Sequence, residues 1–367
     1  MTRVLTRGIN FQFSNKMYIL SACSISPQDT FVNYGAFPTI RILEGNRWSC
    51  VEPDYKSCIA DATLRRRMSR VVKMGVSAAL RCVDQAGVQP EAIITATGLG
   101  CLADTEKFLD ALIDNELQLN PTPFIQSTFN TVGAQIALML GNHGYNNTYV
   151  HRGFSFESAL LDALMQINEG IINVLVGCFD ETTDTSFEVM RRLGFWKEEL
   201  TGSDQLYTNR TKGTASGEGA IFFMLGRDAA CHVSTPRISG VHFFNTAAGE
   251  VSVDHQVINF LASMQKSVAD VDLLMLGNNG DVSGDETYRR LVSNLFTGKP
   301  YCLFKNLCGE YATASGFALY LTCEILASQS VPEGIDCHGQ VPKTINNVLI
   351  YNHYQNINHS MILLSNS

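Results

Sequence analysis

The chain is predicted to fold as an α/β protein with buried sheets, and three observations predict it. Strand-like and helix-like segments alternate along almost the whole sequence. Hydrophobic residues make up 45% of the 367 and charged residues 17%, which is enough apolar material for an extensive core. A similar order of segments recurs after Pro236, which suggests a structural duplication with a boundary near Cys231–Pro236.

The elements follow in order. Met17 to Ser24 reads as a buried first strand, after a short extension over residues 1–16. Within it, Leu20-Ser21-Ala22-Cys23 resembles a lipoprotein cleavage box. Only Met17 to Leu20 could serve as the apolar core before that box, and a signal peptide needs roughly 7–15 apolar residues. Val71 to Ala86, rich in Ala, Val and Leu, predicts a helix stopped by Gly87. Ala92 to Thr97 is a short β-branched run ending at Gly98, and Thr105 to Ile113 is again helical. Thr128 to Leu140 predicts one helix ended by Gly141. Thr148 to Val150 is a short strand, and Phe156 to Ile167 a long apolar helix stopped by Gly170. Asn173 to Gly177 and Ala220 to Leu225 are strands.

In the second series, Ile238 to Phe244 reads as a strand and His255 to Ser267 as a helix. Asp272 to Leu276 is a strand before a Gly-rich turn, Ser315 to Ala327 an apolar helix, and Val348 to Tyr351 with Ser360 to Leu364 a closing strand pair. Two stretches, Gln28 to Ala62 and Thr182 to Gly213, read as loops long enough to cover a pocket or a partner.

Composition excludes several classes. The net charge is −8 and no basic patch exceeds Arg65-Arg66-Arg67, so nucleic-acid binding is not expected. That arginine run is either a solvated helix start or a docking point for an acidic carrier protein. The 11 cysteines are odd in number and form no CxxC pair, which fits reduced thiols in a cytoplasm. Without CxxC or HExxH spacing, no metal and no cofactor are expected. No run approaches the ~18 apolar residues of a membrane span. Gly98 to Gly100 lacks the full dinucleotide-binding glycine pattern.

Several segments together resemble the elongating β-ketoacyl-acyl carrier protein synthases, of the thiolase-like fold. Arg65 to Gly87 is similar to that family's first long helix, and Thr95 to Leu112 to its glycine turn and following helix. Asn120 to Leu138 is similar to the helix before the nucleophile, and Ile167 to Glu181 to the strand after the nucleophile helix. Ser216 to Leu225 matches the family's Gly-Glu-Gly-Ala strand, and Phe304 to Leu319 resembles the segment carrying its lysine and second histidine. The Thr-Phe-Asn-Thr helix start is similar to synthases of aryl polyene and related type II polyketide pathways. The resemblance implies a layered α-β-α-β-α fold from two duplicated halves, residues 17–232 and 233–367.

The family's chemistry needs a cysteine at a strand–helix turn, acylated as a thioester, and two histidines that assist decarboxylation of the extender. Counting from Gly170 and from Thr148 puts Gly153 at the nucleophile position. "GNNGDVSGD" places Asn279 at the first histidine, with Asp285 kept. Lys305 and Gly309 are kept, but Glu310 stands at the second histidine, and Glu218 keeps the Gly-Glu-Gly turn. Glycine has no side chain to acylate and asparagine does no acid–base work near neutral pH. Glu310 beside Lys305 is expected to be an ion-pair partner. The C-terminal glycine-rich motif is degenerate, as "NHYQNIN".

Ser155 is a substitute nucleophile if the register slips; otherwise it caps the following helix. His151 reads as a base beside it or as a structural strand-end residue. Cys178 and Cys308 read as buried thiols. Phe129, Phe154 and Phe156 are candidates for a tunnel end. The resemblance implies a catalytically silent chain-length-factor subunit in polyketide or fatty-acid-like biosynthesis. Such a subunit pairs with an active ketosynthase and meets acyl carrier protein through that complex. Two alternatives stay open. One is a homodimeric acyltransferase or decarboxylase with a non-standard site. The other is an acyl-chain-binding scaffold.

Overall fold

In the computed structural model, residues 17–114, 119–228, 235–247 and 251–366 are described. The expected extension over 1–16 and the expected boundary between residues 232 and 233 lie outside them.

The first half runs β1 (Met17–Ile25), α1 (Ala62–Arg67), α2 (Arg70–Ala86), β2 (Ala92–Thr97), α3 (Leu102–Asp114), α4 (Pro121–Ser127), α5 (Thr131–Leu140), β3 (Tyr145–Val150), α6 (Ser155–Asn168), β4 (Asn173–Asp180), α7 (Asp184–Arg192) and β5 (Gly219–Gly226). The second half runs β6 (Arg237–Asn245), α8 (Val253–Ser263), β7 (Leu273–Leu276), α9 (Asp285–Leu295), β8 (Tyr301–Leu303), α10 (Lys305–Cys308), α11 (Ser315–Ser328), β9 (Cys337–His338), β10 (Asn347–Tyr354) and β11 (Asn358–Ser365).

The strands hydrogen-bond in the order β3-β2-β4-β5-β1-β6-β11-β10-β7-β8-β9. The first five read as two parallel steps, β3-β2-β4, followed by the antiparallel β5 and β1. The series β8-β7-β10-β11-β6 repeats that order with the same sense at every step. The halves join where β1 meets β6 through Met17↔Ile238 and Tyr18↔Arg237. The segment resembling a cleavage box thus lies in a strand at the middle of the sheet.

Side chains alternate across each strand, so each half presents two faces. Ile94, Val176 and Phe223 of the first half share one core cluster with Met275, Val348 and Ile362 of the second, and α6 and α11 lie within it. The opposite face of the first half (Ile93, Leu175, Phe222) packs on α2 and α5. That of the second half (Leu274, Leu349, Leu363) packs on α8 and α9. The result is the α-β-α-β-α layering. α11 is buried from Ser315 to Leu326, as expected of a helix apolar on every side.

Three elements differ from the sequence reading. Thr128 to Leu140 is not one helix, because Thr128 is extended (ψ 139°) and separates α4 from α5. The expected loop Thr182 to Gly213 contains α7, whose start is a capping box between Thr183 and Ser186. α9 was not legible as a helix because it buries only Tyr288 and Leu291. Among the described residues no helix is long and apolar enough to cross a membrane.

Candidate functional site

The turn from β3 into α6 carries His151, Arg152 and Gly153. Its strained residue is Arg152, at φ 49°. Gly153 does not have a positive φ; it is glycine because of a close approach. A Cβ there would lie 2.6 Å from Tyr354 Cβ and 3.0 Å from Asn358 Nδ2, both from the β10–β11 hairpin. Ser155 is fully buried, and its hydroxyl accepts the His151 backbone N–H at 2.7 Å, which closes the turn. The His151 ring is stacked on Phe154 at 5.5 Å.

Asn279 and Glu310 arrive from different elements of the second half and meet. Asn279 Nδ2 donates to Glu310 Oε2 at 2.7 Å, and Lys305 Nζ donates to Glu310 Oε1 at 2.5 Å. Lys305 is fully buried, so the expected ion pair is an interior one. Asp285 fixes the Asn279 turn by accepting the backbone N–H groups of Asn279 (3.0 Å) and Gly280 (3.1 Å). Burial pushes its carboxyl up to about 6. Gly309 is positioned by close packing: a Cβ would meet Gly217 Cα at 2.6 Å, in a left-handed backbone at φ 76°. Glu218 binds the Cys50 and Thr182 backbone N–H groups at 2.9 and 3.1 Å and pairs with Arg70 at 2.5 Å. It ties three segments together behind the site.

A cavity of about 570 Å³ lies beside these segments. Arg152, Asn279 and Glu310 line it together with Trp196, His353 and Tyr354; Gly153 does not. The expected covering loop Thr182 to Gly213 supplies much of the apolar wall, including Met190 and Leu193, whereas Gln28 to Ala62 does not border it. The first loop packs behind that wall, where the Trp48 backbone N–H donates to the carbonyl of the cavity-lining Ser216 at 2.9 Å, and Gly35 N–H donates to Glu324 at 3.0 Å.

Among the described residues no cysteine lines this cavity. Cys178 and Cys308 are fully buried, and burial pushes both thiols well above their usual range. The imidazole in the wall, His353, is locked. Its Nε2 faces the Gly284 carbonyl at 3.0 Å and its Nδ1 accepts the Asn356 N–H at 3.1 Å. Burial lowers its pKa to about 3, so it is neutral and both nitrogens are engaged. Glu181 at the wall is pushed up to about 7, also by burial.

None of the three phenylalanine candidates lines the cavity. Phe156 is sealed in the central core, Phe154 packs on Phe243 at 5.0 Å, and Phe129 lies half-exposed over Gly100. Their bulk suggested a tunnel end, but bulk does not say which way a side chain points. His353 was within reach of sequence reading, inside the degenerate "NHYQNIN" stretch. Arg152 was hidden by the one-residue difference between chain counting and the position of the strained backbone.

A duplicated α-β-α-β-α fold with this strand–turn–helix aimed at a cavity shared by both halves defines a thiolase-like ketosynthase fold. Residues 48–198 match the family described as Beta-ketoacyl synthase, N-terminal domain. No curated protein matches the chain.

Solved structures share its fold at low identity. The ishigamide ketosynthase/chain length factor is 15% identical with a TM-score of 0.75, over 96% of this chain and 99% of that one. The ketosynthase (ApeO) in complex with its chain length factor (ApeC) from Xenorhabdus doucetiae is 15% identical with a TM-score of 0.68, over 96% and 98%. AntDE:AntF, a type II PKS acyl-carrier protein in complex with its ketosynthase, is 14% identical with a TM-score of 0.70, over 96% and 99%.

Proposed function

We propose that this chain is a catalytically silent, chain-length-factor-like subunit that pairs with an active β-ketoacyl-ACP synthase. One observation carries the reading. Where the family's chemistry needs a thiol and two free imidazoles, the cavity wall carries Asn279 and Glu310 closed into a network with the buried Lys305 behind them, and among the described residues no cysteine. Glu310 is occupied on both oxygens, and Asn279 is its donor. Neither is free to stabilise an enolate.

The pairing surface is the face of α3, α4, α5 and β3. β3 is an edge strand, and an edge is a template for another chain. Ile113 and Leu138 are 82% and 72% exposed, and Phe124, Ile125 and Phe129 are more than half or half exposed beside them. An apolar patch of this kind marks a protein interface. It runs from β3 into the Arg152 turn, so a partner paired here sits beside the cavity and shares its walls. In this reading the partner supplies cysteine and histidines and this chain supplies interface and wall, in an aryl-polyene-type or other type II polyketide or fatty-acid-like pathway. Acyl carrier protein meets the complex rather than this chain alone, with Arg65, Arg66 and Arg67 as a basic contact. The expected location is the cytoplasm.

The test is co-expression with a ketosynthase that retains cysteine and both histidines, followed by purification through a tag on one chain. Stoichiometric co-purification, with acyl label only on the partner, is the expected result. An acyl adduct on this chain alone would support the homodimeric acyltransferase or decarboxylase reading instead.

A further inference from the structure

The far edge of the sheet holds a pair of cysteines that the site does not use. β8 and β9 are antiparallel, with Tyr301 opposite His338 and Cys302 opposite Cys337. The next pair along is Leu303 and Asp336, and there Leu303 N–H donates to the Asp336 carbonyl at 2.8 Å. Hydrogen-bonded and non-hydrogen-bonded pairs alternate along an antiparallel ladder. Cys302 and Cys337 therefore form a non-hydrogen-bonded pair, the kind whose side chains stand closest, with Cα atoms about 4.5 Å apart. Disulfides bridge Cα atoms roughly 4.4–6.8 Å apart. Both thiols are free.

We infer that Cys302 and Cys337 are a reversible oxidation site, which a peroxide closes to a cross-strand disulfide. The roles divide by exposure. Cys302 is fully buried in the central core, while Cys337 is half-buried and reaches solvent. The neighbouring Cys302 thiol also holds the Cys337 thiol below its usual range, which favours the thiolate.

Cys337 thiolate attacks one peroxide oxygen. The O–O bond breaks, the released hydroxide takes a proton to become water, and Cys337 is left as the sulfenic acid. The Cys302 sulfur then attacks the Cys337 sulfur. The S–O bond breaks, and hydroxide leaves as water with the Cys302 proton. Two thiols are oxidised by two electrons and one peroxide is reduced to two waters.

Two further facts favour this pair. β9 ends the sheet opposite β3, so a partner on the β3 edge leaves it uncovered. β8 also runs directly into Phe304 and Lys305, so the link forms on the strand that delivers the buried lysine paired with Glu310.

The test is to expose the folded full chain to hydrogen peroxide, alkylate it with iodoacetamide under denaturing conditions, and map its peptides without reduction. The expected result is a linked pair of peptides containing Cys302 and Cys337, a loss of two alkylatable thiols, and full recovery with dithiothreitol. The proposal is overturned if both cysteines are alkylated, if Cys302 links to another residue, or if Cys337 goes to sulfinic acid with Cys302 free. In Cys302→Ala, Cys337 is expected to stop as a dimedone-trappable sulfenic acid. No adduct there, with the link still forming in the unaltered chain, would overturn the assignment of Cys337 as the attacking thiol.

Discussion

Asn279 donates its side-chain amide to Glu310 across 2.7 Å, and that contact joins the turn after β7 to the segment after α10. The other oxygen of the same carboxylate takes Lys305 at 2.5 Å, with the lysine wholly inside the protein. The energetic consequence follows from burial. Removing one partner of a buried pair leaves an uncompensated charge, a cost of about 3–5 kcal/mol, whereas replacing both with apolar groups is often neutral. Glu310→Gln is therefore expected to lower stability by about 3 kcal/mol or more, and Lys305→Met with Glu310→Leu by far less. Urea unfolding of the three proteins checks this; equal stability of Glu310→Gln and the parent would remove the ion pair from the account.

Arg152 and Gly153 predict opposite outcomes for a reintroduced thiol. A side chain at 153 meets Tyr354 and Asn358 within 3.0 Å, so Gly153→Cys is expected to cost about 1–3 kcal/mol as overpacking. Arg152 is already a side-chain-bearing residue at φ 49° and lines the cavity, so Arg152→Cys adds no backbone strain and places its thiol there. Thermal unfolding and the rate of alkylation of the folded proteins distinguish them. A stable, reactive Gly153→Cys would show that the hairpin yields.

His353 gives a pH signature. Its folded pKa is about 3 and an unfolded histidine titrates near 6.5, so the unfolded state takes the proton first as pH falls. The stability held above pH 6.5 is then lost toward pH 3, at up to about 1.4 kcal/mol per pH unit. Asp285 and Glu181, raised to about 6 and about 7, act with the opposite sign. They remain in His353→Asn, so the comparison cancels them. The stability advantage of the parent over His353→Asn is expected to shrink between pH 7 and pH 4; a constant difference in denaturation midpoints would contradict the burial of a neutral imidazole.

Leu138 tests the proposed pairing face without touching the core. It is largely exposed, so Leu138→Arg is expected to change monomer stability by no more than about 0.5 kcal/mol. The same change puts a charge into the apolar face, and co-purification with the ketosynthase partner is expected to fall at least tenfold. Retained pairing would move the interface off α5 and β3.

The strands β2 and β5 and the helices α2 and α6 were legible to within a few residues, because their apolar runs are continuous and end at glycines such as Gly87 and Gly170. α7 and α9 were not legible. A helix that buries two residues or fewer leaves little period to read, and the start of α7 is set by a cap that resembles loop sequence. The positions Asn279, Glu310 and Lys305 were readable from motif spacing, since each lies in a locally recognisable segment.

The sequence by itself therefore determined the fold class, suggested the duplication, and pointed to Gly153, Asn279 and Glu310 as the residues expected where a thiol and two imidazoles would stand. Only the tertiary structure decided what those residues do together. Asn279 and Glu310 are 31 positions apart and meet only because β7 and α10 end at one cavity. Gly153 is glycine because a hairpin more than 200 residues away packs on it, and that hairpin also delivers the locked His353. Contacts between distant segments leave no period and no spacing in the chain, so they are set by packing and can be read only from the fold.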